Sequence, residues 1–155
     1  MKRNTAARGH LRVLDPTLTP PSPHAPLPRT LRRDLGKFVR ECGREISESG
    51  MMADANRAHA VVTLDAAYRS PRDRSLSHVL VCTRCVVEET GKAIDRVCGS
   101  FEEHEDNAPM LRSLSALLVD LATLQAEGAR LMYRLARLAE LHEPTVTALS
   151  PARAS

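Results

Sequence analysis

Aromatic residues are nearly missing from this chain. Phe and Tyr occur twice each and Trp not at all, so rings make up 3 % of the 155 residues. Such a sequence must build an aliphatic core, and it disfavours ring-lined pockets and stacking platforms for single-stranded nucleic acid. The seven glycines are scattered, with no GxGxxG, GxxxxGK(S/T) or GxSxG segment among them. No uncharged apolar run approaches the roughly 18 residues of a membrane-spanning helix. His104-Glu105 and His142-Glu143 open a metalloprotease pattern, but Ala108 and Val146 stand where its second His belongs. Paired carboxylates in apolar surroundings are not visible either. These absences argue against an enzyme and call for no cofactor.

What is abundant is helical periodicity. Between Asn107 and His142, Leu or Met recurs at Met110, Leu114, Leu117, Leu121, Leu124, Leu131, Leu135 and Leu138, alternately three and four apart, with Gly128 taking one place. Residues so spaced stack on one face of a helix. Leu111, Leu118 and Met132 widen the stripe beyond a two-position coiled-coil seam, so this helix needs at least two helical neighbours. Asn107 is the expected cap, and Pro144 stops the helix. Before it, Glu102, Glu103, Glu105 and Asp106, with His104 among them, read as a solvated acidic loop, because no spaced calcium-loop pattern is present.

The neighbours come from two earlier regions. From Thr30, an expected cap, Leu31, Leu35, Phe38, Cys42 and Ile46 follow at helical spacing; Met51, Ala55, Ala58 and Val62 continue the period but point roughly the opposite way. Either the chain bends near Gly50 or one long helix is covered on both sides, and the bend is preferred. Gly36, Gly43 and Gly50 lie seven apart and define an edge where another helix can pack closely. Ser70-Pro71 reads as the start of the next helix, whose face is Leu76, Val79, Leu80, Val86, Val87, Ile94, Val97 and Phe101, with Thr83 and Thr90 inside it. Opposite lie His78, Val81, Cys82 and Cys85, which leave the Val79–Val87 stretch apolar nearly all round, a mark of deep burial or of a shared surface. The expected fold is therefore all-α: an antiparallel bundle of three long helices, or four if Gly50 breaks the first, over residues 30–142.

Residues 1–29 and 143–155 read as disordered tails. Six prolines crowd positions 16–28 and forbid regular helix there. Pro23-His24-Ala25-Pro26 has bare PxxP spacing without a flanking basic residue, and Thr19, Ser22 and Ser150 each precede a proline as in proline-directed phosphorylation sites. Net charge is +3 but unevenly placed: up to Arg33, seven basic residues face Asp15 alone, giving +6 there and −3 for the remainder. Lys2, Arg3, Arg8 and Arg12 are candidates for contacting phosphates. The first fourteen residues are Arg-bearing and acid-free, as in a mitochondrial leader, but too poor in apolar residues to form its face.

Cys82-Thr83-Arg84-Cys85 is the sharpest chemical motif. With His78 it places three soft ligands on one helical face; zinc would need a fourth, from Cys42 or His59. A redox role requires the CxxC at a helix start after a strand, whereas this one falls in mid-helix, and a second CxxC is absent. Buried packing is the favoured reading of these thiols. With no signal peptide, the cysteines (the fourth is Cys98) are expected reduced, in a cytoplasmic or nuclear protein. The function expected is a non-enzymatic protein–protein interaction module, adaptor or small subunit of a coiled-coil assembly, its partner either another helical protein or a second copy in a homo-oligomer. Its contact faces would be His78/Val81/Cys82/Cys85, the glycine edge Gly36/Gly43/Gly50 and the leucine stripe Leu114/Leu121/Leu135. The alternatives are nucleic-acid association through the basic tail and, third, metal binding at His78/Cys82/Cys85.

Overall fold

The computed structural model describes residues 27–49, 54–70 and 76–142. They form four helices: α1 (Arg29–Ser49), α2 (Ala55–Arg69), α3 (Leu76–Glu103) and α4 (Ala108–His142). No strand occurs among the described residues. The first region is thus two helices rather than one long rod. Gly50 lies outside the described residues, but α2 restarts at a capping Asp54 in extended conformation (φ −87°, ψ 122°), whose carboxylate accepts from the Asn56 N–H at 2.9 Å. An extended cap ahead of a new first turn separates two helices.

One boundary expectation is corrected. Thr30 lies inside the first turn of α1, whose first turn instead uses the Pro28 carbonyl as acceptor for the Arg32 N–H (3.0 Å). Ser70 closes α2, its N–H donating to the Ala66 carbonyl at 3.0 Å, and residues 71–75, which follow the expected start of the next helix, lie outside the described residues. Asn107 does cap α4, accepting from the Met110 N–H at 3.1 Å. The disordered tails expected at 1–29 and 143–155 fall almost wholly outside the described residues.

The helices form a closed ring: α1 packs on α2 and α4, and α3 packs on α2 and, most extensively, on α4. Neighbours run in opposite directions. Glu45 near the end of α1 meets Arg57 near the start of α2, while Gly36 near the start of α1 faces Tyr68 near the end of α2. Likewise Gly91 faces Gln125 and Val87 faces Gly128 across α3 and α4, and Asp34 meets Arg134 across α1 and α4.

The leucine stripe of α4 closes the interior. Leu124, Leu131 and Leu135 share one core cluster with Leu31, Leu35, Phe38, Val39 and Cys42 of α1, while Leu114 and Leu121 form a second with Val97 of α3. Gly128 is the tightest point: a Cβ there would stand 2.6 Å from Val87 Cγ2 and 2.9 Å from Phe38 Cζ, so glycine lets three helices converge. The face expected for the second segment is corrected. Ala55 and Val62 are exposed, and α2 buries Arg57, Ala60, Val61, Leu64, Ala67 and Tyr68 instead. Leu64, Val61 and Tyr68 remove far more apolar surface from water than two alanines and one valine could. Arg57 puts a charge within that face, and Glu45 neutralises it in place.

Candidate interaction surface

Arg57 and Glu45 are both buried and form an ion pair through Arg57 Nη1 and Glu45 Oε2. Arg57 Nε also donates to Thr90 Oγ1 (3.2 Å), and Ser49 Oγ donates to Glu45 Oε1 (2.5 Å). Thr90 hands its own hydroxyl proton to the Val86 carbonyl at 2.7 Å. A buried charge is tolerable only with such partners. The network ties α1, α2 and α3 together, while Arg57 Nη2 stays enclosed without a partner. Two crevices flank it, of about 250 Å³ toward Glu48, Met110 and Asp120 and about 230 Å³ toward Asp54, Arg96 and Ser100. Asp54 reaches Arg96 at 2.5 Å, and its carboxyl is held below the usual range, chiefly by the Asn56 N–H.

The residues singled out from the sequence separate into inner and outer groups. Leu114, Leu121 and Leu135 are spent on the chain's own core. Gly36 is buried, with Tyr68 Oη 3.2 Å from where its Cβ would be; Gly43 has open space; Gly50 lies outside the described residues. His78, Val81 and Cys85 are exposed on α3, whereas Cys82 is buried and its Sγ lies 3.7 Å from His78 Nε2. Burial pushes the Cys82 thiol above its ordinary value, and burial takes the enclosed Cys42 thiol to about 12. Cys42 sits in the core and His59 on the surface of α2. Among the described residues no group of three or more His, Cys, Asp or Glu is placed to share a metal ion. Lys2, Arg3, Arg8 and Arg12 lie outside the described residues.

A surface that the leucine stripe concealed lies on the opposite side of the same helix. Among the described helices α4 touches only α1 and α3, and its outer face carries Val119, Ala122, Ala126, Ala129 and Tyr133, again alternately three and four apart. Val119 is 65 % and Tyr133 66 % exposed. From 113 to 129 the exposed positions of α4 hold one charge, Asp120, in a chain that is 26 % charged. At its end the face runs into an apolar groove of about 280 Å³ lined by Leu31, Tyr133, Leu138 and Leu141. Alanine is unremarkable in any helix, so only its repetition at heptad spacing could have disclosed this second seam.

The bundle is also electrically polar along its length. On the side of Arg40 and Gly128 that holds the start of α1 and the end of α4 (residues 29–40, 61–70, 76–87 and 128–142), ten basic residues face three acidic ones, a formal +7. The other half (41–49, 54–60 and 88–127) has five against thirteen, a formal −8. Asp34 at the basic end is held below its usual range by the Arg134 hydrogen bond, at 2.7 Å. At the boundary, Glu127 is pushed up by burial and then by Glu41 beside it.

No family model, no curated protein and no solved structure matches the chain. The class defined by its own architecture is an all-α four-helix bundle. Among the described residues, no helix is long and apolar enough to cross a membrane.

Proposed function

We propose that the protein is a non-enzymatic interaction module, an adaptor or small subunit of a larger helical assembly, and that it engages its partner through the outer face of α4. The observation that carries this reading is the run of exposed, almost uncharged positions from 113 to 129 with Val119 and Tyr133 on the same side. A solvated helix face ordinarily carries charge, and an apolar face at heptad spacing is the form in which one helix receives another. Affinity capture with chemical crosslinking on the full chain tests it. Crosslinks should involve α4, and Val119→Glu should remove the captured protein while leaving helix content unchanged. Capture unaffected by Val119→Glu would refute the assignment of the face.

The second reading, phosphate contact through the basic N-terminal residues, draws on the +7 end of the bundle, where α1 begins. Binding to nucleic acid that weakens steeply with salt and is lost on deleting residues 1–29 would support it.

A further inference from the structure

The outer face of α4 has a symmetry that indicates what covers it. Arg112, Val119, Ala126, Tyr133 and Glu140 stand seven residues apart, all exposed, on one line along the helix. Residues equally far on either side of Ala126 are complementary: Val119 with Tyr133, both apolar and exposed, and Arg112 with Glu140, opposite in charge. Ala126 also lies within two residues of the level at which the bundle changes sign from −8 to +7. We propose that the partner seated on this face is a second copy of the chain, its α4 antiparallel to the first about a two-fold axis at Ala126. The inference rests on the interaction reading above and names the partner.

A two-fold axis makes the surface recognise itself, so every contact occurs twice. Val119 packs on Tyr133 of the second copy, Arg112 meets its Glu140, and Arg130 arrives within about one helical turn of its Asp120. Alanine at the axis lets the two backbones approach closely, since interaxial distance follows side-chain size. The antiparallel sense sets each acidic end beside the other's basic end. A parallel pair would instead stack like ends, and repulsion of that kind selects against it.

Light scattering on the full chain at about 100 μM is the first measurement. The expected mass is about twice the 17.0 kDa of the chain, with the dissociation constant rising at least about tenfold from low to half-molar salt as the end charges are screened. Ala126→Glu puts two carboxylates on the axis at an exposed, helix-tolerant position, so it should give a folded monomer by circular dichroism. Register is read by disulfide formation in a Cys85→Ser, Cys98→Ser background. Ala126→Cys should couple to itself on mild oxidation, and Ala122→Cys, on the same face but with Arg130 opposite it, should not. Coupling of both indicates a parallel pair and overturns the proposal, as does a monomeric parent chain. If a monomeric chain captures a different protein and loses it on Ala126→Glu, self-pairing falls while the interaction reading stands. If that capture is indifferent to Ala126→Glu, both fall.

Discussion

Gly128 gives the sharpest test of the packing. Replacing it with Ala in an ordinary helix interior gains about 1 kcal/mol, because glycine surrenders more backbone entropy on folding. Here the added methyl would stand 2.6 Å from Val87 Cγ2 and 2.9 Å from Phe38 Cζ. Those atoms belong to α3 and α1, and Phe38 is buried, so neither can retreat without moving a helix or leaving its rotamer. Overpacking of that kind costs about 1–3 kcal/mol. The net expectation for Gly128→Ala is therefore a loss of up to about 2 kcal/mol. Gly91→Ala is the control: its Cβ would meet only Gln125 Nε2, at 2.9 Å, the far end of a flexible side chain. That variant should gain up to about 1 kcal/mol. Urea unfolding followed by circular dichroism gives both values by linear extrapolation. Val87→Ala opens the space the new methyl needs, so the double variant Gly128→Ala, Val87→Ala should be more stable than the singles predict by about 1 kcal/mol or more. Equal stabilisation by Gly128→Ala and Gly91→Ala, or strict additivity with Val87→Ala, would refute the three-helix convergence.

Glu45→Ala strands Arg57 in the interior and should cost about 3–5 kcal/mol, whereas Glu45→Met with Arg57→Leu should be neutral or more stable, both read from urea midpoints. In the native protein a thiol reagent should modify Cys85 and Cys98, which are exposed, ahead of the buried Cys82 and Cys42. Cys42, with its thiol pushed to about 12, should react only on unfolding; rapid labelling of Cys42 would mean the core is open there. Glu127 holds its proton more tightly folded than unfolded, because burial and Glu41 raise its carboxyl above the ordinary 4.5. Its contribution is complete below that value and is lost as pH rises through the folded one. Glu127→Gln should therefore stabilise the bundle at pH 7 and make no difference at pH 4.

The parts of the fold legible in the sequence were those where burial and hydrophobicity coincide. On α4 and α3, Leu121, Leu135, Val79 and Val86 recur at helical spacing and are the residues the bundle encloses. On α2 the coincidence fails. Its buried face includes Arg57, and a periodicity search rejects a face with a charge in it, choosing Ala55, Ala58 and Val62 instead. Nothing local announces that Glu45, twelve residues earlier, will meet Arg57, because that pairing depends on how the chain turns between α1 and α2. Asp54 is illegible as a cap for a related reason: it falls within the apparent stripe of Met51, Ala55, Ala58 and Val62. The outer face of α4 was hidden by chemistry of the opposite kind. Alanines carry little hydrophobic signal beside a leucine stripe of the same period.

The buried ion pair bears on why α2 stays where it is. At 15 residues α2 is the shortest helix, beside an α3 of 28. Its apolar contacts are Ala60, Val61, Leu64, Ala67 and Tyr68, of which only Leu64 and Tyr68 are large. One turn is about 5.4 Å, and a slip of that length would carry Arg57 away from both Glu45 and Thr90. The cost of an unpaired buried charge then adds to that of withdrawing Leu64 and Tyr68 from their contacts, so the pair reinforces the stop against sliding. Buried polar groups are best attested in this role, fixing register at some expense of stability. A consequence separates register from stability. The Glu45→Met, Arg57→Leu variant should unfold no earlier than the parent, yet its amide spectrum should show α2 resonances doubled or broadened by exchange between registers. A single sharp set for α2 in that variant would mean that packing alone holds the helix, and the ion pair would then have no register to keep.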